Sequence, residues 1–161
     1  MCNLYSQTKS QDEIRHACNE IPEDDDVIAD MTGNLPAMPG IYPDYPAPIL
    51  RPAPAGGWQL SMARWGLPTP PQFLHGIRTE WTSTRKLKEG EVTVDAFAFL
   101  TCAPNREVAR IHPKAMPVIL LRPEECRLWL TAPIKQALHL QRALPDGELD
   151  IVLEGAREDP A

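Results

Sequence analysis

Seven prolines between Pro36 and Pro54 constrain this chain more than any other feature. Each one lacks a backbone donor and fixes φ, so no helix can run through the stretch and an extended path is what remains. Eighteen prolines against nine glycines in the whole chain extend that expectation: long extended connections and few uninterrupted helices. Within the run, Ile41, Tyr42, Tyr45, Ile49 and Leu50 are apolar anchors. They favour a segment that packs on its own domain over a polyproline II ligand held out for a partner.

At 161 residues, 43% hydrophobic and 24% charged, the chain suits one domain with a real core. The net charge of −6 argues against a generic nucleic-acid binder, because non-specific affinity comes mainly from neutralising phosphates. The uneven placement of the charges tempers that exclusion. Residues 1–30 carry eight acids and two bases, whereas residues 61–122 carry nine bases and five acids, enough for a local strand-binding groove. The four cysteines, Cys2, Cys18, Cys102 and Cys126, show no C-x-x-C pair or zinc-finger spacing, so neither metal nor cofactor is expected. Without a signal-peptide pattern or an apolar run near the ~18 residues of a bilayer span, a cytoplasmic protein with no membrane partner is expected.

Local signals place the elements. Ser10-Gln11-Asp12-Glu13 has the form of a capping box, followed by Ile14, Ala17, Cys18 and Ile21 at helical spacing. That predicts a helix of about two turns with Cys18 on its apolar side and His16 solvated. Asn3 to Tyr5 is expected to be a short strand, and residues 23–26 an acidic loop. Gly56-Gly57 reads as a turn into a half-buried strand, Trp58 to Trp65, in which Trp58, Leu60 and Met62 alternate with Gln59, Ser61 and Ala63. Further strands are expected over Glu91–Thr101, Met116–Leu121 and Leu149–Leu153. Helices are expected over Arg106–Ile111, capped by Asn105, over Pro123–Leu130 with Cys126 or Trp129 buried, and over Ile134–Leu140 carrying His139, with a turn at Pro145-Asp146-Gly147. Short strands and helices without regular alternation indicate α+β.

The chemistry centres on Cys2. Once the initiator methionine is removed, this residue carries a free α-amine, titrating near ~7.7–8.0, beside a thiol near ~8.5. Such a 1,2-aminothiol suits an aldehyde: the amine condenses to a Schiff base and the thiolate closes a five-membered thiazolidine. His112 is the second candidate, because a histidine can move protons near neutral pH.

Three separated stretches give these residues a context: Met1-Cys2-Asn3-Leu4-Tyr5, then Arg64-Trp65-Gly66-Leu67-Pro68, then Ile111-His112-Pro113-Lys114-Ala115-Met116-Pro117-Val118-Ile119-Leu120. In that order they resemble the SOS response-associated peptidase (SRAP) family. The resemblance implies a curved, barrel-like mixed sheet with short peripheral helices, and a DNA-damage function in which the terminal cysteine links covalently to abasic sites in single-stranded DNA. It implies Cys2 and His112 as catalytic residues, and Asn3, Asn34, Arg64, Trp65, Gly66 and Arg78 as nucleic-acid contacts, Trp65 as a base-stacking face beside a glycine that admits close backbone approach. A monomer is expected.

The departures from the family pattern are specific. Three residues separate His112 from Met116, where many members have two. The Asn-Ala-Arg-x-Glu-Thr motif and the following acidic-Trp segment are not evident; after Pro71 the chain reaches Gly76-Ile77-Arg78-Thr79-Glu80-Trp81, which resembles a later strand of the family. The expectation is a single domain over residues 1–154 lacking an internal block near residue 76, with 155–161 as a frayed tail. Glu80 is the weaker candidate for the missing acid, since its neighbours match the later strand better. Two alternatives remain: a cysteine peptidase or autopeptidase using Cys2 and His112, or a catalytically impaired, shortened homologue.

Overall fold

The computed structural model describes residues 5–23, 27–66, 78–84 and 90–150. Its first element, β1 (Tyr5–Gln7), pairs antiparallel with β3 (Met38–Ile41), setting Tyr5 opposite Ile41. Between them lie α1 (Gln11–Asn19) and β2 (Ile28–Asp30). The capping box predicted for α1 is present: the Ser10 hydroxyl accepts from the Glu13 backbone N–H, and the Glu13 carboxylate accepts from the Ser10 N–H at 2.9 Å. The Ser10 N–H bond, a Lys9 bond at 3.1 Å and a Ser10 hydroxyl bond at 2.9 Å, all donated to the Glu13 carboxylate, pull its carboxyl down to about 2.

β2 carries no local strand signal, and its Asp30 ties α1 to the sheet. Asp30 accepts from Arg15 Nε at 2.6 Å, from Gln11 Nε2 at 3.0 Å and from the Thr32 backbone at 2.8 Å. The Thr32 hydroxyl also donates to it at 2.6 Å, and that bond, with the others, holds its carboxyl well below the usual range.

The proline-rich run forms strands. In β4 (Pro46–Pro52) the prolines fall at 46, 48 and 52, all of one parity. An antiparallel ladder uses alternate residues, so the donors of Ala47, Ile49 and Arg51 serve the partner while the missing donors lie on the outer edge. Proline there also discourages further strand pairing. A hairpin turn through Gly56 and Gly57, closed by Ala53 N–H to Gly57 O at 2.9 Å, leads into β5 (Trp58–Trp65).

β5 is the centre of the molecule. Along one edge it pairs with the whole of β4; along the other it pairs in parallel with β2 through residues 58–60, then with β7 (Val92–Phe97) through Arg64 and Trp65. The strand expected to be half-buried is therefore covered on both faces, with Trp58, Leu60, Ser61, Ala63 and Trp65 all buried. Its core cluster unites Ile41, Ala47, Ala63, Trp65 and Phe97, with Tyr5, Met38 and Ile49 packed against it. β6 (Arg78–Ser83) completes this sheet by pairing antiparallel with β7.

The second half is more broken than its alternation suggests. The strand expected over Glu91–Thr101 ends at Phe97, and Thr101–Cys102 form a separate β8 that pairs with β9 (Met116–Pro117), the only part of Met116–Leu121 in a strand. Asn105 caps α2 (Arg106–Ala109) as predicted, its side-chain oxygen accepting from Val108 N at 3.1 Å, but the helix stops short of Ile111. Pro123 opens α3 (Pro123–Thr131), which buries no residue completely, Cys126 and Trp129 included. Next comes α4 (Ile134–Ala137), extended by a 3-10 turn over Leu138–Leu140 with His139 exposed. Asp146 and Gly147 form the expected turn; Leu149 and Asp150 are irregular, and the rest of the closing strand lies outside the described residues, as does the tail.

The architecture is mixed α+β. Among the described residues the strands fall into sheets of two, five and two strands, so the barrel-like curvature expected from the resemblance is not realised as a closed barrel. No helix among them is long and apolar enough to cross a membrane.

Candidate functional site

Cys2 and Asn3 lie outside the described residues, and the chain that carries them enters the sheet at Tyr5. Tyr5 is held by the β1–β3 pairing, and its ring meets Trp65 edge-on with centroids 5.0 Å apart and Phe99 at 5.1 Å. Phe99 also meets Trp65, at 5.6 Å, and Phe97, at 5.7 Å. Edge-to-face packing of this kind adds to the burial of the rings. Burial pushes the Tyr5 phenol up to about 12.

The Trp65-Gly66 corner is a backbone junction as well as an aromatic one. Trp65 donates to Tyr45 O at 2.9 Å and accepts from Asp44 N at 2.7 Å, while Gly66 donates to Phe97 O at 2.8 Å. Gly66 holds φ at +111°, outside the region that L side chains adopt readily. A Cβ built there would meet nothing closer than the Asp44 nitrogen at 3.8 Å, so conformation rather than space demands glycine.

Trp65 itself is 5% exposed. The stacking face expected of it is already covered by Tyr5 and Phe99, so its role as placed is packing. Phe99, 38% exposed, is the aromatic of this cluster that faces solvent. Its sequence neighbourhood hides it, because the alternation over Glu91–Thr101 makes Phe99 one more residue of a continuous strand.

His112 stands apart from this corner. It follows α2, with its backbone N–H donating to Val108 O at 2.8 Å. Its ring Nδ1 lies 2.8 Å from Ala115 O and 3.3 Å from Ala115 N. Among the described residues no hydrogen bond or ring contact joins His112 to Trp65, Gly66 or Arg78.

The remaining candidates are dispersed. Asn34 is exposed on the loop before β3. Arg64 pairs with Asp44 at 3.3 Å. Glu80 lies exposed on β6, opposite Asp95 of β7, and Arg78 reaches diagonally to that same Asp95 at 2.8 Å. Asp95 also faces Arg51 at 3.6 Å, and Arg51 Nε donates to the buried Ser61 hydroxyl at 3.1 Å. Both arginines expected to contact nucleic acid, Arg64 and Arg78, therefore already have carboxylate partners. Arg51 and Asp95 give no signal in the sequence, because their meeting depends on the β4–β5–β7 register.

The other three thiols are poor nucleophiles where they stand. Burial pushes Cys18, Cys102 and Cys126 upward, with the Asp30 charge adding to the effect at Cys18 and Glu125 at Cys126. All three are free. No family model matches this chain, and no curated protein does either.

Proposed function

We propose that the chain captures abasic sites in single-stranded DNA through Cys2, as a shortened SRAP-like protein. One observation carries the reading beyond motif resemblance. The first and second motifs, sixty residues apart, meet in space where Tyr5 packs on Trp65. That contact tethers the chain three residues from Cys2, a span of at most ~11 Å.

The chemistry balances without a cofactor or redox partner. The Cys2 amine adds to the open-chain aldehyde and the carbinolamine loses water to give an imine. The thiolate then adds to the imine carbon, forming the C–S bond, and a proton ends on the ring nitrogen. Moving protons to and from the reacting groups in these steps is the role assigned to His112. A reducing cytoplasm, which keeps the terminal thiol free, is the setting this reading requires.

A second reading, a catalytically impaired homologue, is favoured by the local bonding of His112 and the ion pairs that occupy Arg64 and Arg78. One experiment separates the two. The folded protein, shown by intact mass to begin at Cys2, is incubated with a single-stranded oligonucleotide containing an abasic site, and denaturing gels are scored for an adduct. The crosslinking reading expects an adduct that Cys2→Ala abolishes and His112→Ala slows by about 10²–10⁴-fold, the usual contribution of a general acid or base. No adduct from the unmodified protein leaves the impaired reading in place.

A further inference from the structure

A cavity of about 630 Å³ opens between the outer part of β4, the end of β7 and α3. Its walls are mostly apolar, with the aromatic rings of Tyr5, Phe97, Phe99 and Trp129 among aliphatic and proline side chains such as Ile49 and Leu130. The size falls in the range of small-molecule sites, about 300–1,000 Å³. Among the described residues the only charged groups against these walls are Arg51 and Arg78. Their partner Asp95 and the neighbouring Glu80 line a separate polar depression that the same two arginines also line. Arg51 and Arg78 thus border both the apolar chamber and the depression that holds the carboxylates.

We propose that this chamber binds an amphipathic monocarboxylate, its hydrocarbon body against the apolar walls and its carboxylate on Arg51 and Arg78. The wall composition selects the body. Apart from the arginines, the polar side-chain groups of the described walls are the Tyr5 hydroxyl and the Trp129 indole N–H, too few to pair the ring nitrogens and exocyclic groups of a nucleobase. A saturated chain carries no such groups.

The charge count selects the head. Arg51 and Arg78 share Asp95 as an ion-pair partner and Glu80 lines the same depression, so the pair carries at most one positive charge to spare, which one carboxylate neutralises and a phosphate dianion exceeds. Donors remain for it. Arg51 spends Nε on Ser61 and Nη1 on Asp95, and Arg78 spends Nε and Nη2 on Asp95, which leaves Arg51 Nη2 and Arg78 Nη1 among the described contacts. Arginine in this position suits a planar carboxylate acceptor. The site does not rest on Cys2 and stands whether or not the chain crosslinks DNA.

Isothermal titration of the full chain with octanoate, decanoate and decan-1-ol, each below its micelle concentration, tests the assignment. Expected are one site per chain, affinity rising about fourfold per methylene, and decanoate at least about tenfold tighter than the alcohol. Arg51→Gln combined with Arg78→Gln is expected to bring decanoate down to the level of the alcohol while leaving the alcohol unchanged. Leu130→Trp, which fills the chamber without touching the arginines, is expected to abolish both, with circular dichroism showing the fold retained. Equal affinity for acid and alcohol, or no binding of either by the folded protein, overturns the site. Tighter binding of decyl phosphate than of decanoate overturns the assigned head group.

Discussion

The Trp65-Gly66 corner and the His112 turn are both short motifs singled out by the sequence, yet they are held in place by different means. The corner draws on four parts of the chain: Tyr5 from β1, Asp44 and Tyr45 before β4, Trp65 and Gly66 ending β5, and Phe97 and Phe99 at the end of β7. The described polar bonds of His112 all lie between Val108 and Ala115. Damage at the corner should therefore propagate through the sheet, whereas damage at the turn should stay local. On the proposed reading the difference also bears on function, since the tether of Cys2 belongs to the many-stranded corner and His112 to the lightly held turn.

The largest expected effect sets one region against the other. Trp65→Ala removes a buried ring from the core cluster and is expected to cost about 3–5 kcal/mol in denaturant unfolding. His112→Ala loses a half-buried local hydrogen bond and is expected to cost about 1 kcal/mol. Equal losses at the two positions would break the distinction drawn between them.

A smaller effect sharpens what the corner demands. Gly66→Ala is expected to destabilise by about 1–3 kcal/mol through backbone strain alone. Gly33→Ala, at φ +67° with open space around it, should cost less because that conformation lies in the left-handed region other residues visit. Matching losses in thermal melts would show that the corner's backbone is not special.

The smallest effect is in pH dependence. An unfolded tyrosine ionises near ~10, while the folded Tyr5 holds its proton until about 12. The unfolded state thus loses protons first as pH rises, so the stability from buried Tyr5 is fully present below about pH 10 and falls away toward pH 12. Denaturant midpoints across that window, compared between the unmodified protein and Tyr5→Phe, read it directly. Tyr5→Phe is expected to flatten the decline, and an unchanged slope would place the titrating group elsewhere.

Sequence alone determined what short-range geometry decides. The capping box at Ser10 and Glu13, the Asn105 cap, Pro123 opening a helix and the Gly56-Gly57 turn each depend on a few neighbouring residues, and each is present. The proline run was legible as extended, because fixed φ and missing donors leave little else. Tertiary structure alone decided the rest. Burial of β5 on both faces, the covering of Trp65, and the meeting of Arg51, Asp95 and Arg78 all follow from register among strands far apart in the chain. Alternation of apolar and polar residues specifies a strand's two faces but not its neighbours, and a site built from several strands exists only once those neighbours are chosen.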